Sequence, residues 1–197
     1  LYNHKNGIVL RKLERKNLPL LKELKNESWF GTHTINFVND DDQERWFNSL
    51  NPNKDLILIA NSTPVLKTQQ PARGLFKINN IDWVNRKCTE GHDTFIDQRG
   101  YGYGKLIVEA GTDFIFEILN MNRIECEILE NNIASQKCCE YVGYTKEGVK
   151  RKAIHKCGQY IDSYCYGILF EEWKESARVK DLYNGICNKS YQPLNTK

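Results

Sequence analysis

Residues 98 to 104 read Gln98-Arg99-Gly100-Tyr101-Gly102-Tyr103-Gly104 and run directly into an apolar-periodic stretch from Leu106 through Ile115. Glycines at alternate positions remove the Cβ atoms that would hold a diphosphate away from the main chain. The first turn of a following helix adds unpaired N–H groups and a partial positive charge, and Arg99 adds a full charge at the rim. The pattern is that of a pyrophosphate cradle. A strand-like run over residues 88–96 precedes it, so strand, glycine loop and helix follow in the order of a nucleotide- or coenzyme-binding crossover. Within that run Glu90 and His92 share a face at two-residue spacing, and an imidazole with a reference pKa of about 6.5 suits proton transfer near neutrality. A hydrogen-bonded scaffold histidine would explain the same spacing, and Asp93 is a further candidate on the opposite face.

The elements that must position these residues are legible in outline. A short strand at residues 8–10 precedes a helix at 17–25, where Leu18, Leu21 and Leu24 recur at helical spacing with Pro19 near the start. Asp40, Asp41 and Asp42 favour the start of a second helix carrying Trp46, Phe47 and Leu50 on one face. Apolar runs at 56–60 and 74–78 read as central strands joined by a long hairpin loop that holds Pro64, Gln69 and Pro71. The run at 88–96 is the fourth strand. The fifth, at 123–129, alternates Ile124, Cys126 and Ile128 with Glu125 and Glu127. A helix at 134–142 stops at Gly143, and a hairpin of two strands spans residues 146–170, turning at Lys156-Cys157-Gly158-Gln159. Trp173, Ala177, Val179 and Leu182 predict one more helix before a loose tail.

At 197 residues and 40% hydrophobic content, the chain fits one domain with a sizeable core. The net charge of +3 comes from interspersed acids and bases without a dense basic block, so no nucleic-acid partner is inferred. Seven cysteines without a C-x-x-C pair predict neither a disulfide framework nor a zinc site, no metal is expected, and a reducing, cytoplasmic setting follows. No apolar run of 18 residues occurs, so no membrane span is expected.

Several motifs coincide in the order of a known family. Arg99, Gly102 and Gly104 match a coenzyme motif of Gln or Arg, two residues, Gly, one residue, Gly or Ala. Asn80 to Arg86 follow the third strand, Asn122-Arg123-Ile124 enter the fifth, and Asn132 and Ser135 open the next helix. Gly143-Tyr144, Glu147-Gly148, Gly158 to Asp162, Tyr166 to Leu169 and Glu171-Glu172-Trp173 complete the set. Over about residues 7 to 173 the chain resembles the GNAT superfamily of N-acetyltransferases, within it the RimJ/RimL-like group of ribosomal-protein alanine acetyltransferases and the spermidine acetyltransferases.

The resemblance implies an α/β (α+β) GNAT fold: a mixed, mostly antiparallel sheet of about seven strands with flanking helices, whose fourth and fifth strands splay around acetyl-CoA. It implies a GNAT domain at 1–173 and a helical extension with a tail at 174–197. The pyrophosphate would sit on Arg99, Gly100, Tyr101, Gly102, Tyr103 and Gly104. The pantetheine arm would pair with main chain at Thr94, Phe95 and Ile96, and Asn132 and Ser135 would approach from the other side. Many members carry a Tyr that protonates the leaving thiolate where counting places Cys139; Cys138 and Cys139 also read as small core hydrophobes. Some members use a Glu base at the position of Thr89, one step before Glu90, and a one-residue shift turns a strand side chain to the other face unless a bulge restores it. Trp29, His33 and Asp40 to Asp42 fall in the segment that walls the acceptor pocket, and Trp83 and Arg86 either line the acceptor side or pack. Ser135 is not read as a nucleophile, because no His and Asp context surrounds it in the sequence. The implied reaction is direct attack by a primary amine, a protein N-terminal α-amine or a small molecule, on acetyl-CoA. The alternative is a non-catalytic acyl-CoA-binding or interaction module. A homodimer is compatible with the chain after Trp173, without a legible interface pattern.

Overall fold

The computed structural model describes residues 1–28, 31–33, 37–63, 71–176 and 179. Among the described residues one sheet has eight strands: β1 (Tyr2–Asn3), β2 (Ile8–Lys12), β3 (Leu56–Ser62), β4 (Ala72–Asp82), β5 (Lys87–Thr94), β6 (Arg123–Leu129), β7 (Thr145–Lys156) and β8 (Gln159–Leu169). They lie in the order β1-β2-β3-β4-β5-β6-β8-β7. Every neighbouring pair is antiparallel except β5 and β6, which are parallel. The eighth strand, not expected from the sequence, is the two-residue β1 at the edge, too short to carry a periodic signal. Residues 64–70 of the expected hairpin loop, and the expected helix and tail beyond 176 apart from Val179, lie outside the described residues, as do Trp29 and Phe30.

Helices cover both faces. On one side lie α3 (Tyr103–Glu117), α4 (Ile133–Val142) and α5 (Phe170–Glu175), sealing a core of Phe76, Ile78, Ile107, Ile115, Ile124 and Trp173. On the other, α1 (Leu18–Glu27) and α2 (Asp40–Ser49) close a smaller core around Leu18, Leu21, Leu24, Ile57, Ile59 and Leu75. Alternation along β3 to β5 explains the division: Phe76, Ile78, Glu90 and His92 point toward α3 and α4, while Leu75, Lys77, Gly91 and Asp93 point toward α1 and α2. The acids at the start of α2 do local work. Asn39 Oδ1 accepts from Asp42 N (2.9 Å), Asp42 Oδ2 accepts from Asn39 N (3.0 Å), Asp40 pairs with Lys22, and Glu44 with Arg15.

Helix α3 begins at Tyr103, three residues earlier than its apolar period, because Gly102 takes a left-handed φ of 83° and turns the chain into it. Buried polar groups then fix it. Asp113 accepts from Trp173 Nε1 (2.7 Å) and lies 2.9 Å from His4 Nε2, while Asn6 Nδ2 donates to Glu109 (2.9 Å). Midway along α3 a Cβ on Gly111 would come within 2.4 Å of the fully buried Phe76 ring, so only glycine lets helix and sheet approach this closely. Gly111→Val is therefore expected to lower the unfolding free energy by about 2–3 kcal/mol through overpacking, read as a shifted urea midpoint; an unchanged midpoint would contradict the close approach.

Candidate active site

Strands β5 and β6 begin side by side and then part. Their parallel register runs Lys87↔Arg123, Cys88↔Ile124 and Thr89↔Glu125 and stops there, although both strands continue. Beyond that point β5 stays with β4 as far as Gly74↔Thr94, and β6 stays with β8 as far as Leu129↔Ser163. The gap opens a cleft of ≈ 270 Å³ bordered by Glu90, His92, Cys126, Asn132 and Ser135 on one side and Lys77, Gly91 and Asp93 on the other.

A hydrogen-bonded row crosses the α4 side of this cleft. Glu90, 7% exposed, lies with Oε2 3.1 Å from His92 Nδ1, and His92 Nε2 is 3.0 Å from Ser135 Oγ. A carboxylate only accepts, so Nδ1 carries the proton toward Glu90, and in the neutral ring Nε2 is the acceptor facing Ser135. Burial alone would lower the His92 pKa, but attraction and hydrogen bonding from Glu90 outweigh it and hold the ring above its ordinary value. Behind Glu90, Cys139 Sγ donates to Oε1 (3.6 Å) and lies 3.8 Å from Cys126 Sγ. The Cys139 thiol is held well above its usual range by its bond to Cys126, by burial and by Glu90; burial pushes Cys88 to about 12. The ligand-type atoms of Glu90, Cys126 and Cys139 lie within 4.8 Å of one another, as do those of His4, Glu109 and Asp113.

Several sequence expectations change here. Glu90, not Thr89, faces the cleft; Thr89 is on the other face, its Oγ1 bonded to Asn79 O (3.1 Å). Ser135 does have a histidine and a carboxylate around it, supplied from β5 across 43 residues and invisible as a motif. Cys139 is fully buried behind Glu90 and does not border the cleft. Trp83, 53% exposed, and Arg86 sit in the β4–β5 turn at the paired end of β5, so neither borders the cleft. Trp83 Nε1 donates to Asn53 O (2.8 Å) and Arg86 to Asn120 (2.7 and 2.8 Å). The Phe95 side chain belongs to the smaller core. The Arg99 guanidinium turns back from the loop to Thr94 O (3.1 Å), Ser28 Oγ (2.6 Å) and Asp93 (3.1 Å). Its charge is spent on Asp93 and Ser28 rather than on the loop rim.

Residues 31–33 bridge the cleft from above. Asn132 caps α4 by accepting from Ser135 N (3.2 Å), and its Nδ2 donates to Gly31 O (3.1 Å). Lys156 Nζ donates to Thr32 O, and His33 Nε2 is 3.0 Å from Ser163 Oγ. Burial lowers the His33 pKa despite the pull of Glu127. A second cavity of ≈ 270 Å³ lies between α1, α2 and the sheet and meets the cleft at Thr32, Lys77 and Asp93. Lys77 is not among the residues that the sequence motifs single out; a lysine inside the apolar run Leu75-Phe76-Lys77-Ile78 is the signal that could have found it.

The acetyltransferase (GNAT) domain family matches residues 8–145. The chain belongs to this family, and it transfers an acetyl group from acetyl-CoA to a primary amine. It is 24% identical over 176 residues to the uncharacterized N-acetyltransferase p20 of Bacillus licheniformis, covering 84% of this chain and 94% of that one. It is 28% identical over 101 residues to YdaF of Bacillus subtilis, provisionally described as a ribosomal N-acetyltransferase, covering 51% and 55% of the two. In fold it is similar to spermidine N-acetyltransferase from Vibrio cholerae in complex with CoA and spermine, with a TM-score of 0.78, 20% identity, and 86% and 99% of the chains covered. Among the described residues no helix is long and apolar enough to cross a membrane.

The coenzyme fits observations of this structure. Gly100 and Gly102 have φ of 84° and 83°, and no atom lies within 4 Å of where a Cβ would stand on either, so open space lies over the loop. The α3 N-terminus has neither a side-chain cap nor an acidic first turn, leaving its amides for an anion. Gly102→Glu is expected to weaken CoA binding at least about tenfold by placing a carboxylate at that N-terminus, with Gly102→Ala as the uncharged control; equal calorimetric affinities for the Glu variant and the parent would remove the phosphate loop from residues 100–104.

Proposed function

We propose that acetyl transfer in this protein runs on the Glu90, His92 and Ser135 row, with the amine entering from the α1 and α2 face. The observation that carries the reading is that this row borders the gap between β5 and β6 while its carboxylate is enclosed. Acetyl-CoA supplies the activated acetyl carbon. His92 Nε2, in the neutral ring, takes the proton that the amine loses. Glu90, 3.1 Å from Nδ1, bears the counter-charge of the imidazolium so formed. Ser135 Oγ, 3.0 Å from Nε2, hands a proton toward the departing sulfur and is refilled from the ring. Cys139 holds Glu90 in place rather than acting as the acid, since a thiol raised this far is a poor donor. The ordered motifs support the RimJ/RimL-like group and a protein N-terminal amine, and the small volume of the second cavity, ≈ 270 Å³, supports a small-molecule amine. A cytoplasmic setting agrees with free cysteines at 88, 126, 138, 139, 157 and 165.

Thiol release from acetyl-CoA over a panel of amines tests the reading. His92→Gln should lower kcat about 100-fold or more. Because neutral His92 is the working form, kcat should rise with pH along a limb set by its raised pKa. Glu90→Gln removes the group that raises that pKa, so the limb should move to lower pH. A limb unmoved in Glu90→Gln, or full activity in His92→Gln, would defeat the assignment.

A further inference from the structure

The second cavity carries charges that the proton-transfer row does not use. Lys77 stands mid-strand on β4 opposite Gly91 of β5, and with no side chain there its stem lies open toward the gap; Lys77 Cδ is 4.0 Å from where a Gly91 Cβ would be. Lys77 borders both cavities, and among the described residues it has no hydrogen-bond or ion-pair partner. Burial lowers its pKa below the ordinary value, Asp93 opposes this and Lys25 adds to it. Lys25, from α1, borders the same cavity.

The carboxylates that could answer these cations are committed elsewhere. Asp93 is paired with Arg99 Nη2 at 3.1 Å. Asp40, Asp42 and Glu44 of α2 pair with Lys22, Arg45 and Arg15, and none borders either cavity. A further polar atom there lacks a partner: Gln43 is 4% exposed and its Oε1 accepts no hydrogen bond from the described residues. Leaving such an acceptor unpaired is unfavourable unless a ligand supplies the N–H. Leu21, Leu24 and Trp46 supply the apolar part of the wall, and Ser28, Thr32 and Asn79 add neutral polar groups.

We propose that the acceptor is a compact primary amine bearing an anionic group, a carboxylate or a phosphate, within a few atoms of the reactive nitrogen. The anion rests on Lys77 and Lys25, and an N–H of the same molecule meets Gln43 Oε1. A polyamine would instead bring further positive charge to two unpaired ammonium groups. This rests on the proposed reaction, since the cavity is identified as the acceptor's only by its opening into the catalytic gap.

The test uses matched amines that differ by one anionic group: phosphoethanolamine against ethanolamine, and phenylalanine against phenethylamine, with spermidine and an uncharged N-terminal peptide amide alongside. Initial rates of thiol release are expected to give kcat/KM at least tenfold higher for the anionic member of a pair. That preference should disappear in Lys77→Met and persist in Lys77→Arg. Preference in only one pair would separate a phosphate from a carboxylate as the group read, and would support the inference for that group. Equal or better turnover of the partners without the anionic group, of spermidine or of the peptide amide would overturn it, as would a preference untouched by Lys77→Met. Calorimetric binding of the same pairs to CoA-loaded protein keeps the outcome separate from catalysis. Anion-selective, Lys77-dependent binding without thiol release would sink the proposed reaction, and with it the ligand's role as acceptor, while leaving the cavity as an anion-reading site; binding without selectivity would sink the inference.

Discussion

The site depends on a failure of strand pairing. Two parallel strands that have aligned three residue pairs would ordinarily continue, since each further pair satisfies backbone groups on both. Here β5 is held by β4 and β6 by β8 along their whole remaining lengths, so they diverge because their outer partners diverge. The inward edge of β5 is left to hydrogen-bond an extended ligand arm as another strand would. The same divergence joins the two faces of the sheet, which elsewhere are kept apart by a continuous layer of backbone.

A buried carboxylate next to a histidine is costly unless each answers the other, and the low-dielectric surroundings make that answer strong. Glu90 meets the condition with one imidazole and one thiol. The neighbouring cysteines stay protonated because burial disfavours their thiolates, so the row keeps one negative charge and one movable proton. On the opposite face the balance is reversed, with two lysines against an aspartate already held by Arg99. The sheet thus separates a negatively biased side around Glu90 from a positively biased side around Lys77 and Lys25.

What is legible in the sequence is whatever depends on neighbours along the chain. The glycine loop, the end of α4 at Gly143 and the alternation in β6 are local, and each stands where its pattern puts it. The contacts that make the site are not local. Ser135 meets His92, and Cys139 meets Glu90, across 43 and 49 residues. Motif counting therefore finds Glu90 and Ser135 without finding that they share a histidine. The setting of Trp83 and Arg86 is hidden for the same reason: the sequence shows an aromatic and a cation in a turn, not that the turn lies at the closed end of the strand pair. Lys77 carries a signal of a different kind, a charge where the strand pattern calls for an apolar residue, and such breaks of local rule mark sites more reliably than composition does.

Asn132 is one side chain with two duties: it caps α4 beside Ser135 and holds the carbonyl of Gly31 at the border of the cleft. The start of α4 and residues 31–33 therefore share a mechanical element. Any free energy by which a ligand on one of them favours a given position is felt by a ligand on the other, and linkage requires the effect to be equal in both directions. A single amide group is thus the joint between two borders of the cleft.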